Sequence, residues 1–171
     1  SGTTLTANVA STSGGGIYLG ITDSRGGSIA ASNCTISGNE AATGAGVAAD
    51  SANARASSMV NCTVAFNGSD APFGGGEGYG FEIPANQLDD LFPGNSDAPF
   101  HKNLLVGNIP ANCSGTFSHD STLTAGSNVA SDSTCGFTQQ TDTELSGVGQ
   151  ALISPTLSAS SNTVALPGDT G

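Results

Sequence analysis

Asp89, Asp90 and Asp97, with His101 shortly after them, form the densest grouping of chemistry-bearing side chains in this 171-residue sequence. Paired carboxylates can serve as acid and base on a glycosidic bond. The same hard oxygens are weak candidates for a calcium site, although their spacing fits no EF-hand loop. A solvated acidic loop is the plainer reading of these residues. The rest of the inventory is thin. Arg25, Arg55 and Lys102 are the whole complement of Lys and Arg. They are too scattered to supply the base and charge neutraliser that β-elimination of a uronate needs. His101 and His119 have no Cys or His neighbours at zinc-ligand spacing. A Gly-x-Ser-x-Gly nucleophile elbow is missing. The run Gly75 to Gly80 approaches a calcium-binding nonapeptide but has Gly80 where the ligand Asp belongs. Thr4, Thr35 and Thr63 would stack as an outward threonine column, the kind of flat array that orders water on ice-binding solenoids. No catalytic residue and no cofactor is assigned, with calcium the one candidate ion.

These side chains would have to be positioned by a fold with few helices. Gly, Ser, Thr and Asn make up nearly half of the chain, while charged residues are 10%. Such a composition lacks the Leu, Glu, Lys, Arg and Gln that favour helices. The formal net charge of −11 repels phosphate backbones and anionic lipid heads, so nucleic acid and direct membrane insertion are excluded as partners.

Repeats give the architecture. Gly14-Gly15-Gly16-Ile17, Gly44-Ala45-Gly46-Val47 and Gly74-Gly75-Gly76-Glu77 recur at equal intervals of about 30 residues. Between them runs apolar-x-x-Asn, ending at Asn8, Asn39, Asn67 and Asn108. Within each unit apolar residues alternate with Ser, Thr and Asn, as in half-buried strands. Such short units cannot bury their apolar side alone, whereas stacking them about 4.8 Å apart builds parallel sheets round a shared core. The expectation is an all-β, parallel β-helix (solenoid) with coils of about 30 residues. A β-sandwich would share the sheets but not the equal spacing. The motif Asn residues would form a structural ladder at corners, where Asn tolerates left-handed dihedrals. Residues 81–100, FEIPANQLDDLFPGNSDAPF, read as a loop insertion whose Phe residues pin it to the flank of the stack.

The Gly-Gly-[Ile/Val] and apolar-x-x-Asn motifs, best copied in GGGIYL and CTISGNEA, resemble the repeats of polymorphic outer-membrane and adhesin-like β-helix proteins. The tail, with Asn-Cys-Ser-Gly, Gly-x-Asn, Ser-Asp, Cys-Gly-Phe, Thr-Asp and Leu-Pro-Gly in order, resembles the choice-of-anchor Q region of bacterial surface proteins. The resemblance implies a right-handed helix on an exported protein held by a separate anchor, and it brings no activity. Residues 1–171 are expected to be a single β-helix domain, with 109–171 a C-terminal disulfide-bearing region, and to be a portion of a longer exported chain.

Four cysteines in such a chain suggest two disulfides. Cys34 and Cys62 each lie two residues before the motif's apolar residue, so stacking places them one rung apart. That distance suits either a bridge or two reduced, buried thiols. Cys113 and Cys135 flank a Ser/Thr-rich loop outside the repeat register and are expected to be bridged. The function expected is a non-catalytic structural or adhesive module, secreted or at a bacterial surface, able to self-associate end to end and to meet a surface glycan or protein. A carbohydrate-active or carbohydrate-binding module using residues 81–100 is the alternative, and an ice-binding solenoid the third reading.

Overall fold

The computed structural model describes residues 2–22, 25–50, 57–68, 79–82, 100–114, 127–137 and 143–144, with 21–22, 25–26 and 143–144 described by backbone alone. All regular structure among them is β-strand. The largest sheet runs Thr4–Thr6, Thr35–Ser37, Thr63–Ala65, Leu104–Val106, Val129–Ala130, Thr143–Glu144, each strand parallel to the next. A second sheet joins Ala30–Ser32, Ser58–Val60 and Phe100–His101. A third joins Ile17–Leu19, Val47–Ala49 and Phe81–Glu82, and Cys113 continues it by a bridge to Phe81. Val9–Ser13 pairs with Glu40–Thr43, again parallel. Only the short pair Ile21–Thr22 and Arg25–Gly26 is antiparallel among the described strands.

Because pairing is parallel, each strand's partner comes a long stretch later, and the same residue type returns to the same place. Leu5, Ile36, Val64, Leu105 and Ala130 form one row across the first sheet. Ile17, Val47, Phe81 and Cys113 form another. Ala31, Met59 and Phe100 form the third. The three rows meet in one hydrophobic cluster. Full burial of each large side chain there stabilises by about 1.5–3 kcal/mol. Phe81 and Phe100, expected on the flank, lie inside instead, each 1% exposed, with rings edge to face at 5.9 Å and 76°. Both bounds of the insertion are therefore strand residues in register with core neighbours, because a Phe facing inward buries far more apolar area than one lying on a loop. The loop between them, with Asp89, Asp90 and Asp97, lies outside the described residues.

The chain turns at columns of left-handed residues. Ala7, Gly38, Phe66 and Gly107 have φ of 55°, 60°, 54° and 62°, and Asn33, Asn61, Lys102 and Ser127 have φ of 51°, 53°, 55° and 63°. The motif Asn residues themselves are not left-handed, contrary to expectation. The residue before each one makes the turn, which leaves the Asn free to point its amide along the stack.

Register also corrects the third glycine copy. Gly74 to Gly76 lie outside the described residues, and Tyr79-Gly80-Phe81 stands opposite Ala45-Gly46-Val47. Equal sequence spacing missed this because pairing, not chain distance, sets which glycine meets which. Thr4, Thr35 and Thr63 do stand in register. Thr4 is exposed, but Thr35 and Thr63 are only 5% and 3% exposed, so the row is no wet threonine array.

Candidate functional site

Among the described residues the motif Asn side chains are spent on holding one parallel strand to the next. Asn8, Asn39 and Asn67 each donate both backbone N–H (3.0 Å) and Nδ2 (2.9 Å) to Oδ1 of the next Asn, ending at Asn108. The partners are 31, 28 and 41 residues apart in sequence. The second amide proton reaches back: Asn39 Nδ2 donates to Leu5 O, Asn67 to Ile36 O and Asn108 to Val64 O, at 3.0–3.1 Å. Asn39 and Asn67 are 0% exposed and Asn108 is 5% exposed, yet these amides are bonded as burial requires.

Glycine makes room for them. A Cβ on Gly16 would lie 3.1 Å from Asn39 Nδ2, on Gly46 3.1 Å from Asn67 Nδ2, and on Gly80 2.7 Å from Asn108 Nδ2. The glycine motif and the apolar-x-x-Asn motif are thus two halves of one contact.

A second column, which sequence reasoning missed, runs beside the first. The N–H of Cys34 donates to Cys62 Sγ (3.3 Å), that of Cys62 to Asn103 Oδ1 (2.9 Å), and that of Asn103 to Asn128 Oδ1 (3.0 Å). Asn103 Nδ2 also reaches Met59 O, and Asn128 Nδ2 reaches Phe100 O. The readable signal was a fixed offset of five residues: Cys34 before Asn39, Cys62 before Asn67 and Asn103 before Asn108. Cysteine occupies the ladder position where a disulfide forms. Cys34 and Cys62 are bridged with Cα atoms 4.6 Å apart, and Cys113 and Cys135 are bridged with Cα atoms 5.1 Å apart. Cys113 lies within the stack, opposite Phe81, not outside the register.

One groove presents unlike chemistry together. Tyr18, Ala48 and Glu82 are in register across the third sheet. A groove of ≈ 260 Å³ beside Ala48 is lined by Ser13, Thr43, Ala48, Ala49, Asp50 and Glu82, and Tyr18 meets it through Asp50. Ser13 and Thr43 hydroxyls bond at 2.7 Å. The half-exposed Tyr18 donates its hydroxyl proton to Asp50 Oδ2. That hydrogen bond, with smaller contributions from desolvation and the Asp50 charge, raises the phenol's pKa above its ordinary value. Carboxylates and hydroxyls beside a phenol ring suit hydrogen bonding to a polyhydroxylated ligand.

His101 pairs with Val60 at a strand end, Lys102 forms a left-handed corner, Arg25 is described by backbone alone, and Arg55 and His119 lie outside the described residues. Among the described residues no three His, Cys, Asp or Glu side chains are grouped to hold a metal ion, and no helix is long and apolar enough to cross a membrane. Compared with protein-family models, with curated proteins and with solved structures, the chain matches none.

Proposed function

We propose that this chain is a right-handed parallel β-helix with coils of about 30 residues that serves as a non-catalytic structural or adhesive module, secreted or displayed at a bacterial surface, of the kind its repeat and tail motifs resemble. The observation that carries the reading is the pair of polar columns. They commit the buried Asn side chains to rung-to-rung bonds, which stiffens an axis and leaves those groups nothing with which to do chemistry. Two disulfides support an oxidising compartment. The net charge of −11 favours solubility.

Incubation with acidic and neutral polysaccharides, read for released products, tests the non-catalytic part. No cleavage is expected, and turnover that survives repurification would overturn it. Saccharide binding without cleavage is a second reading favoured by the groove lined by Ser13, Thr43, Ala48, Asp50 and Glu82, with Tyr18 bonded to Asp50 at its edge, which only touches the start of the 81–100 insertion. A glycan array with the parent protein and Tyr18→Ala separates it: binding lost with the ring supports the groove.

A further inference from the structure

The groove beside Ala48 is rich in hydrogen-bond acceptors and poor in donors. Ser13 and Thr43 stand in register, with hydroxyl oxygens 2.7 Å apart. Thr43 Oγ1 also lies 3.3 Å from Thr12 O, which can only accept. The Thr43 proton therefore goes to that carbonyl, and the Ser13 proton goes to Thr43 Oγ1. The Tyr18 hydroxyl proton is likewise committed, to Asp50 Oδ2. Each of these three hydroxyl protons is thus spent inside the protein. What the polar lining offers a ligand is acceptors: the Ser13 oxygen and the carboxylates of Asp50 and Glu82. None of the described residues that line the groove is Lys, Arg or His.

Glycine keeps this space clear. Gly44 has φ of 51°, and a Cβ on it would lie 2.6 Å from Ala48 Cβ and 2.9 Å from Glu82 Cβ. The first glycine of the Gly44-Ala45-Gly46 motif thus makes room beside the groove, as the third makes room for the Asn column.

Resting on the second reading above, in which the groove takes a saccharide, we propose that its ligand is an amino sugar carrying a free ammonium group. An ammonium brings three N–H donors, a positive charge and no acceptor, which is the complement of this lining. Set between Asp50 and Glu82 it makes charge-assisted hydrogen bonds, roughly twice as strong as neutral ones. A neutral hexose supplies hydroxyl donors without the charge. N-acetylation removes the charge and adds a carbonyl for which the lining has no side-chain donor. A uronate brings anionic acceptors to two carboxylates, in a chain of net charge −11, and is repelled. The half-exposed Tyr18 ring, tethered to Asp50 at the groove's edge, adds the aromatic surface that a sugar ring packs on and favours a sugar over a lysine side chain.

Titration calorimetry in calcium-free buffer tests this with a glucosamine tetramer, its N-acetylated form, a galacturonate tetramer and tetralysine. The glucosamine tetramer should bind at least about tenfold more tightly than each of the others, and less tightly as salt is raised. Asp50→Asn and Glu82→Gln should each weaken it by about tenfold or more while leaving circular dichroism unchanged. An N-acetylated or galacturonate tetramer that binds as tightly as the glucosamine tetramer, and loses binding in Tyr18→Ala, would overturn the ammonium proposal and leave the saccharide reading standing. Tetralysine bound as tightly, or glucosamine binding indifferent to both carboxylate substitutions, would also overturn the proposal. Binding of no probe would overturn the saccharide reading with it.

Discussion

Gly46 lies so close to the amide of Asn67 that a Cβ on it would come within 3.1 Å of Nδ2, and within 2.3 Å of the Gly80 carbonyl oxygen. The second contact is with backbone, which cannot swing aside. Gly46→Ala should therefore push two rungs apart and cost about 1–3 kcal/mol, the usual range for overpacking. Urea unfolding of the variant beside the parent checks this, and an unchanged midpoint would mean that the rungs are not that close.

Ladder position decides the cost of losing an Asn. Asn67→Ala removes the acceptor of the Asn39 N–H and of one Asn39 Nδ2 proton, and one donor to the Ile36 carbonyl, all buried, while the other Nδ2 proton keeps Leu5 O. Each buried group left unpaired costs about 1–3 kcal/mol, so this variant should lose several kcal/mol or fail to fold. Asn8 is exposed at the end of the column, and Asn8→Ala should cost about 1 kcal/mol or less. Comparison of the two midpoints is the measurement; equal losses would deny the column.

The disulfides join residues 28 and 22 positions apart. By the loop-entropy estimate each stabilises by about 3 kcal/mol. Thiol titration of the native protein should find no free thiol, and reductant should lower the melting temperature by well over ten degrees.

Tyr18 offers a pH signature. Its hydrogen bond to Asp50 favours the protonated phenol, so its folded pKa stands above the unfolded value of about 10. The stabilisation is complete below that value and is lost as pH rises through the folded pKa. In a Tyr79→Phe background, phenolate absorbance should appear later in the titration than in the unfolded chain, and Asp50→Asn should bring it earlier.

The all-β class with parallel pairing was legible from the repeats. Alternation marked Ile36, Val64 and Leu105 as inward, and the apolar-x-x-Asn motif marked the ladder, because a parallel stack repeats one environment at each rung. Registry across the long third interval was not legible: Gly80, not Gly74 to Gly76, opposes Gly46, since chain length between rungs is free while hydrogen-bond pairing is not. The Cys34–Cys62–Asn103–Asn128 column escaped because Cys and Asn look unlike in sequence although both place an acceptor one rung along. The groove at Tyr18 was invisible for another reason. Its lining residues, Ser13, Thr43, Ala48, Asp50 and Glu82, come from sequence-distant strands that only the pairing brings together.

The rung-to-rung Asn column is tested most directly by scalar coupling across hydrogen bonds in an isotopically labelled sample. The backbone amide nitrogens of Asn8, Asn39 and Asn67 should couple to the side-chain carbonyl carbons of Asn39, Asn67 and Asn108, three links in series. Coupling of those amides to backbone carbonyls of adjacent antiparallel strands would contradict the parallel stack and the function proposed on it.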